Sequence, residues 1–217
     1  MNASESKKLS KQRNGSRKKV VICGGGIIGC SIAYYLTLLN EELDVSVIER
    51  ASVACHSSGK AGGFLALDWN DRSPVGPLAR ASYALHKELS QTLKNDTGID
   101  IQYRELDTYS LSAAPYTTKL RSNDQNWIDC KVNSKERLGS PKTTSQVNPY
   151  QLTNALCKAA QNRGAELVID KVIGVESSSE TPAKIKVLNA IDLNFDIDFS
   201  KHELYNFSEC HLGKWFN

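Results

Sequence analysis

A chain of 217 residues with 40% apolar composition can bury one sizeable core and has room for a small second lobe. Its formal charge of +3 is too small to argue for nucleic acid, and the positive excess sits at the start. There Lys7, Lys8, Lys11, Arg13, Arg17, Lys18 and Lys19 face only Glu5. Six cysteines (Cys23, Cys30, Cys55, Cys130, Cys157, Cys210) form no CxxC pair, which suits free thiols in a reducing, cytoplasmic compartment.

Residues 1–18, rich in Ser, Asn, Lys and Arg, cannot bury enough surface to offset the entropy of ordering and are expected to be a disordered basic tail. Lys19 to Cys23 reads as a short buried strand, Gly26 to Leu39 as a helix with apolar residues at helical spacing, and Asp44 to Glu49 as a second strand. Together they make a βαβ unit. The uncharged stretch Val20 to Leu39 superficially resembles a membrane anchor. Gly24, Gly25 and Gly26 argue against that, since each weakens a helix by about 1 kcal/mol relative to alanine while a strand-to-helix turn needs such residues. No stable membrane insertion is expected.

A loop of small residues follows from Ala51 to Gly63, then an amphipathic helix from Leu78 to Leu93 after Pro77. Tyr103 to Leu111 suggests a strand, whereas Asn123 to Gln146 is polar without a sustained period and reads as loop. Pro149 opens a helix, Tyr150 to Arg163, that Gly164 stops. Ala165 to Ile169, Val172 to Glu176 and Ile185 to Leu188 read as strands, and residues 189–217 show no recognisable element.

The chemistry concentrates in Gly24-x-Gly26-Ile27-Ile28-Gly29, placed after a strand and opening a helix. Gly24 serves a tight turn, Gly26 a close backbone approach to a pyrophosphate, and Gly29 close packing of helix on sheet. Alone this is a weak signal. It strengthens because Glu49 lies twenty residues beyond Gly29 at the end of the second strand, where a carboxylate accepts hydrogen bonds from ribose hydroxyls. The carboxylate speaks against a 2′-phosphate, although the neighbouring Arg50 could offset the repulsion. The next loop, Ser57-Ser58-Gly59-Lys60-Ala61-Gly62-Gly63, offers hydroxyls, exposed amides and one cation. These can wrap a pyrophosphate and approach a flat ring, where a nicotinamide-binding domain would continue into its next helix.

These residues, with Val147-Asn148-Pro149-Tyr150-Gln151-Leu152 and the helix after it, resemble the D-amino-acid oxidase, glycine oxidase and sarcosine oxidase family of FAD-dependent oxidoreductases. Ser58 to Trp69 is most similar to a eukaryotic and bacterial branch with a yeast member linked to late endosomes. The resemblance implies an α/β fold: a Rossmann-like FAD-binding βαβ with a parallel sheet, and an incomplete second, antiparallel substrate domain. Residues 19–188 would form the FAD-binding half, between the tail 1–18 and an atypical tail 189–217. It also implies FAD, an amine or amino-acid substrate oxidised by hydride transfer to the flavin, and a strand end near Val172 covering the adenine. Family members continue for well over a hundred further residues, so a truncated and inactive form is expected.

His56 stands in Cys-His-Ser-Ser-Gly, similar in spacing to the Trp-His-Ala-Ala-Gly setting that binds FAD covalently in the dimethylglycine dehydrogenase branch, but without the Trp. An ordinary loop histidine is the default. Lys60 reads equally as a flavin contact or a solvated lysine, and Trp69, Tyr83 and Tyr103 as core or pocket wall. His202, Cys210 and His211 match no standard metal spacing, and no metal is expected. No catalytic residue is named. A nicotinamide-dependent dehydrogenase and a non-catalytic interaction protein are the alternatives, and oligomeric state is not read from the sequence.

Overall fold

The computed structural model describes residues 17–114, 131–176 and 184–187. The chain divides into two compact units, Met1–Val53 with Leu156–Asn217, and Ala54–Ala155. Each is built around its own sheet.

The first unit contains β1 (Lys18–Cys23), α1 (Ile27–Leu39) and β2 (Leu43–Glu49), the βαβ that the periodicity predicts. β1 and β2 run parallel with Lys18 beside Leu43 and Cys23 beside Ile48. β8 (Glu166–Ile169) adds on the far side of β2, also parallel, with Ser46 beside Glu166 and Glu49 beside Ile169. The order β1-β2-β8 makes β2 the central strand. Central position explains its composition: Val45, Val47 and Ile48 are almost fully buried, as is Ser46, and only the Leu43-Asp44 end reaches solvent. α1 contributes Gly29, Cys30, Ala33 and Tyr34 to the same core, residues two of which are small enough for a helix to lie close. β9 (Val172–Glu176) and β10 (Lys184–Val187) form a separate antiparallel pair.

The second unit carries the short helix α2 (Ser57–Lys60), β3 (Phe64–Ala66), the long helix α3 (Gly76–Thr97), β4 (Arg104–Glu105), β5 (Thr108–Ala114), β6 (Lys131–Gly139) and β7 (Thr144–Gln146). β7 is central to an antiparallel sheet of order β3-β7-β4, and β5 pairs with β6. α3 begins with Pro77 in its first turn and ends at Gly98, whose φ of +74° is the left-handed cap that a glycine adopts without strain. α4 spans Pro149–Asn162, and at its start the Asn148 side chain accepts the Gln151 N–H at 3.1 Å in the manner of an N-cap.

Three expectations need correcting. The span 123–146, read as loop, contains β6 and β7 over its described residues. β6 is mostly polar, with Val132 and Leu138 six residues apart as its only large apolar residues, so it shows no apolar period and is fixed by backbone pairing with β5. β7 hides a different way: Thr144 and Ser145 are fully buried but polar. Thr144 satisfies itself by donating its hydroxyl to the Leu106 carbonyl at 2.7 Å and accepting from Thr108 Oγ1 at 3.1 Å. The strand expected over Tyr103 to Leu111 is likewise two, β4 and β5, separated at Leu106-Asp107. The loop from Ala51 to Gly63 contains one helical turn, α2. The tails lie, except for Arg17 and Lys18, outside the described residues.

Candidate dinucleotide site

β1 ends at Cys23, and the chain turns sharply through Gly24, whose φ of +112° is closed to side-chain-bearing residues without strain. The turn is pinned to the neighbouring strand by the Gly24 N–H, which donates to the Ile48 carbonyl at 2.8 Å. Gly26 then caps α1, its carbonyl accepting the Cys30 N–H at 2.9 Å as the first bond of the helix. Gly29 is one turn further and buried. A Cβ there would overlap the Gly24 carbonyl oxygen and stand 3.2 Å from Ile22 Cγ2, so the helix can seat against the turn only with hydrogen at this position. Gly24 and Gly29 are therefore demanded by the polypeptide itself.

Gly26 differs. Its φ of −81° and ψ of −178° are open to any residue. No side chain caps the helix here and no acidic residue occupies its first turn, so the positive end of α1 meets no protein carboxylate within its own first turn. Ile27 is half-buried and Ile28 is exposed, the latter at 48%.

Glu49 is the polar centre of the site. It is 8% exposed at the end of the central strand. Its Oε2 accepts the Gly25 N–H at 2.8 Å and its Oε1 accepts the Ala51 N–H at 3.0 Å, while its main-chain carbonyl accepts the Asp170 N–H at 2.9 Å. A buried carboxylate without such donors would be expensive. With them it is held rigidly beside the glycine turn, and each carboxylate oxygen keeps acceptor capacity for a further hydroxyl. Sequence reasoning singled out Glu49 and the turn containing Gly25, but not the bond between them, nor Asp170. The signal for Gly25 was its place between the two fingerprint glycines; the Asp170 contact is made by backbone and left no trace in residue type. Arg50 follows on the exposed side of the strand end, and Val172 opens β9, half-buried.

In the second unit, Ser57, Ser58, Gly59 and Lys60 form α2, with Ser57 and Lys60 exposed and Ser58 and Gly59 half-buried. Ala61 and Gly62 are exposed, and Gly63 begins the approach to β3 with a φ of +73°. Gly59 and Gly63 are required by packing, since a Cβ on them would overlap the carbonyl oxygens of Ala54 and Val147 respectively. At Gly62 a Cβ would meet only the Phe64 ring at 3.5 Å, an ordinary contact. His56, just ahead of α2, is exposed and has its Nδ1 2.7 Å from Cys55 Sγ. Trp69, 48% exposed, is not a core residue; its indole N–H donates to the Leu138 carbonyl at 3.1 Å. Tyr83 and Tyr103 are half-buried near one another, and burial is the main cause pushing the Tyr83 phenol up from its ordinary value. His202, Cys210 and His211 lie outside the described residues.

A parallel βαβ with a strained glycine turn, an uncapped helix start and a buried carboxylate at the second strand end defines a dinucleotide-binding unit. The family model described as FAD-dependent oxidoreductase matches residues 19–195, and the chain belongs to that family. Its cofactor is FAD. The chain is 37% identical over 172 residues to a candidate oxidoreductase of Schizosaccharomyces pombe, covering 74% of this chain and 44% of that protein. It is 28% identical over 165 residues to the glycine oxidase of Bacillus subtilis, covering 69% and 44%. Among solved structures, glycine oxidase from Geobacillus kaustophilus superposes with a TM-score of 0.61 at 23% identity, over 79% of this chain and 52% of that one. The chain thus spans about half the length of these relatives.

The residues present fit the cofactor. Gly26 leaves the backbone bare where a pyrophosphate would come to the helix start, and Glu49 is a fixed, buried acceptor that would suit ribose hydroxyls. No described helix is long and apolar enough to cross a membrane.

Proposed function

We propose that this chain holds FAD by its ADP half on the turn Gly24 to Gly29, with Glu49 accepting hydrogen bonds from the ribose hydroxyls, and that it serves oxidation of a small amine or amino acid. The observation that carries the reading is the Glu49 carboxylate, 8% exposed and fixed by the Gly25 N–H at 2.8 Å beside an uncapped helix start. Ile27, Ile28, Arg50 and Val172 complete the ADP side of the proposal, and Ser57 to Gly63 enter it through the family resemblance as flavin-side contacts. When bound, FAD supplies a two-electron acceptor for hydride leaving the carbon that bears nitrogen. The chain's own residues bind and orient: α1 directs its positive end to the phosphates, Glu49 selects a free 2′-hydroxyl over a 2′-phosphate, and buried β2 holds both in register.

The chain matches 44% of the length of the two curated relatives named above, and a second reading is that this span holds FAD without itself turning over substrate. One experiment separates the two. Purified full chain is reconstituted with FAD, freed of excess, and assayed by flavin absorbance and by peroxide release with glycine, sarcosine and D-amino acids. Bound flavin with peroxide release supports oxidation, and bound flavin without it supports the second reading. Failure of the intact chain to retain FAD, or equal FAD content in Gly26→Val and wild type, overturns the site. The same proposal places the protein in the cytoplasm, which fractionation of cells tests.

A further inference from the structure

Gln146 ends β7, the central strand of its sheet, and is paired with Phe64 on one side and Arg104 on the other. Paired residues of antiparallel strands share a face, so Phe64, Gln146 and Arg104 stand in a row on one side of the sheet. Thr144 and Ser145 are fully buried, whereas Gln146 is half-buried and Phe64, Arg104 and Gly62 are exposed. All of these residues belong to the second unit. The Gln146 side chain ties its two flanks together. Its amide nitrogen donates to the Gly62 carbonyl at 2.9 Å, and its amide oxygen accepts from Arg104 Nε and Nη2 at 3.1 and 2.5 Å. A guanidinium only donates, so it fixes the amide oxygen on the Arg104 side and turns the NH2 towards Gly62. The next bond along the loop is main-chain, from the Val147 N–H to the Gly63 carbonyl at 2.9 Å. Two successive carbonyls of the loop are thus fastened to β7, the second by backbone and the first by a side chain. A hydrogen bond this open to water adds little to the stability of the fold. Its effect is on orientation, because holding the Gly62 carbonyl sets the plane of the Gly62–Gly63 peptide.

Taking Ser57 to Gly63 as flavin-side contacts, the reading on which this step rests, we infer that Gln146 is a positioning residue for the flavin ring. Through the Gly62 carbonyl it sets the bare peptide against which the ring lies, and Arg104 orients Gln146. Glutamine suits this place because the position must accept from a cation on one flank and donate to a carbonyl on the other. Among side chains of this length only a primary amide does both. A carboxylate would keep and strengthen the Arg104 pair, yet set an oxygen against the Gly62 carbonyl. A thioether would offer that carbonyl no donor.

The test compares the full wild-type chain with Gln146→Glu and Gln146→Met. Each is titrated separately with ADP and with FAD, and the visible absorption and fluorescence of the bound flavin are recorded. ADP lacks the flavin, so it reads the βαβ turn alone. Both variants are expected to bind ADP within about twofold of wild type. FAD is expected to bind about fivefold or more weakly, as the loss of one hydrogen bond would give, with the spectrum of what is bound moved towards that of free FAD. Arg104→Lys, which keeps a donor for the amide oxygen, is expected to recover most of the wild-type spectrum, and Arg104→Ala to follow the Gln146 variants. Wild-type FAD affinity and flavin spectrum in both Gln146 variants overturn the positioning role and leave the ADP site standing. A weakening confined to Gln146→Glu overturns it as well, since that would be repulsion by charge. So does an equal weakening for ADP, or failure of both variants to fold, since the role would then be structural. If wild type binds ADP but not FAD, the flavin-side reading itself fails; if it binds neither, the whole site fails, and the positioning role falls with either.

Discussion

Replacing Gly29 with alanine separates what the fold needs from what a ligand needs. The added Cβ would overlap the Gly24 carbonyl oxygen, and the Gly24 carbonyl carbon and Ile22 Cγ2 would each stand at 3.2 Å. The obstacle is backbone in a turn that the Gly24 N–H fixes to Ile48, so it cannot rotate away as a side chain could. Overpacking of this kind costs about 1–3 kcal/mol or more, against which alanine returns about 1 kcal/mol in helix propensity. With a backbone obstacle we take the upper end, a net loss of about 2 kcal/mol, or roughly 4–8 °C in melting temperature for a chain of this size. Gly26→Ala, at an N-cap whose dihedrals suit any residue, is expected to cost only about 0.5 kcal/mol. Thermal unfolding of the apo forms measures the first difference, and FAD titration of the same samples the second. The expected pattern is crossed, with Gly29→Ala unstable and Gly26→Ala stable but at least tenfold weaker for FAD. A Gly29→Ala protein as stable as wild type would refute the packing, and full FAD affinity in Gly26→Ala would refute the approach of phosphate to that backbone.

Glu49→Ala removes the acceptor for two backbone N–H groups, one of them in buried Gly25, and is expected to lower apo stability by about 1–3 kcal/mol and FAD affinity by a similar amount; denaturant melts and equilibrium dialysis check the two separately, and unchanged values in both would remove Glu49 from the site. Thr144→Val deprives the Leu106 carbonyl of its hydroxyl donor in a fully buried position, and a loss of about 1–3 kcal/mol is expected in urea unfolding, with Thr144→Ser milder. The Asp71 carboxyl, which accepts from Arg80 through two bonds at 2.7 and 2.5 Å, is held below its ordinary value by that guanidinium. A lowered folded value stabilises at pH above the unfolded value of about 3.9, and the contribution fades as pH falls through the lower folded value. Asp71→Asn should therefore melt slightly below wild type at neutral pH, with the two curves converging under strong acid; a gap that widens on acidification would reverse the sign.

The first unit was legible because its signals are local and mutually consistent. A strand of Val and Ile, a glycine turn, a small-residue helix and a strand ending in Glu each specify the same motif within thirty-odd residues, and β1, α1 and β2 fall within one residue of their expected bounds. Where the chain relies on partners distant in sequence, legibility fails. β6 can be a strand only because β5 lies beside it, and β7 is buried through Thr144 and Ser145, whose polarity reads as loop until the hydrogen bonds to Leu106 and Thr108 are seen. β3 was missed for a related reason: three residues, Phe64 to Ala66, are too few to show a period and are strand only by pairing with β7. At the site, the side chain of Glu49 was readable, but the backbone donors that fix it were not.

The glycines themselves make the strongest case that a ligand shaped this sequence. Glycine is entropically unfavourable wherever an ordinary residue would serve, by about 0.5–1 kcal/mol in regular structure. Gly24, Gly29, Gly59 and Gly63 are explained within the chain, by positive φ or by a carbonyl where the Cβ would go. Gly26 and Gly62 are not: one has dihedrals open to any residue, and the other has room for a methyl group beside Phe64. A methyl group at Gly62 would meet only an ordinary contact, and alanine at Gly26 would cost the fold only about 0.5 kcal/mol. Their bareness is accounted for if something that is not protein lies against the backbone there, a phosphate at the start of α1 and a flat ring at the exposed Gly62. Gly62→Ala is thus the informative companion to Gly26→Ala: it should leave the apo melt within about 0.5 kcal/mol of wild type while weakening FAD retention. Undiminished FAD in Gly62→Ala would confine the ligand's demand on the sequence to the βαβ turn.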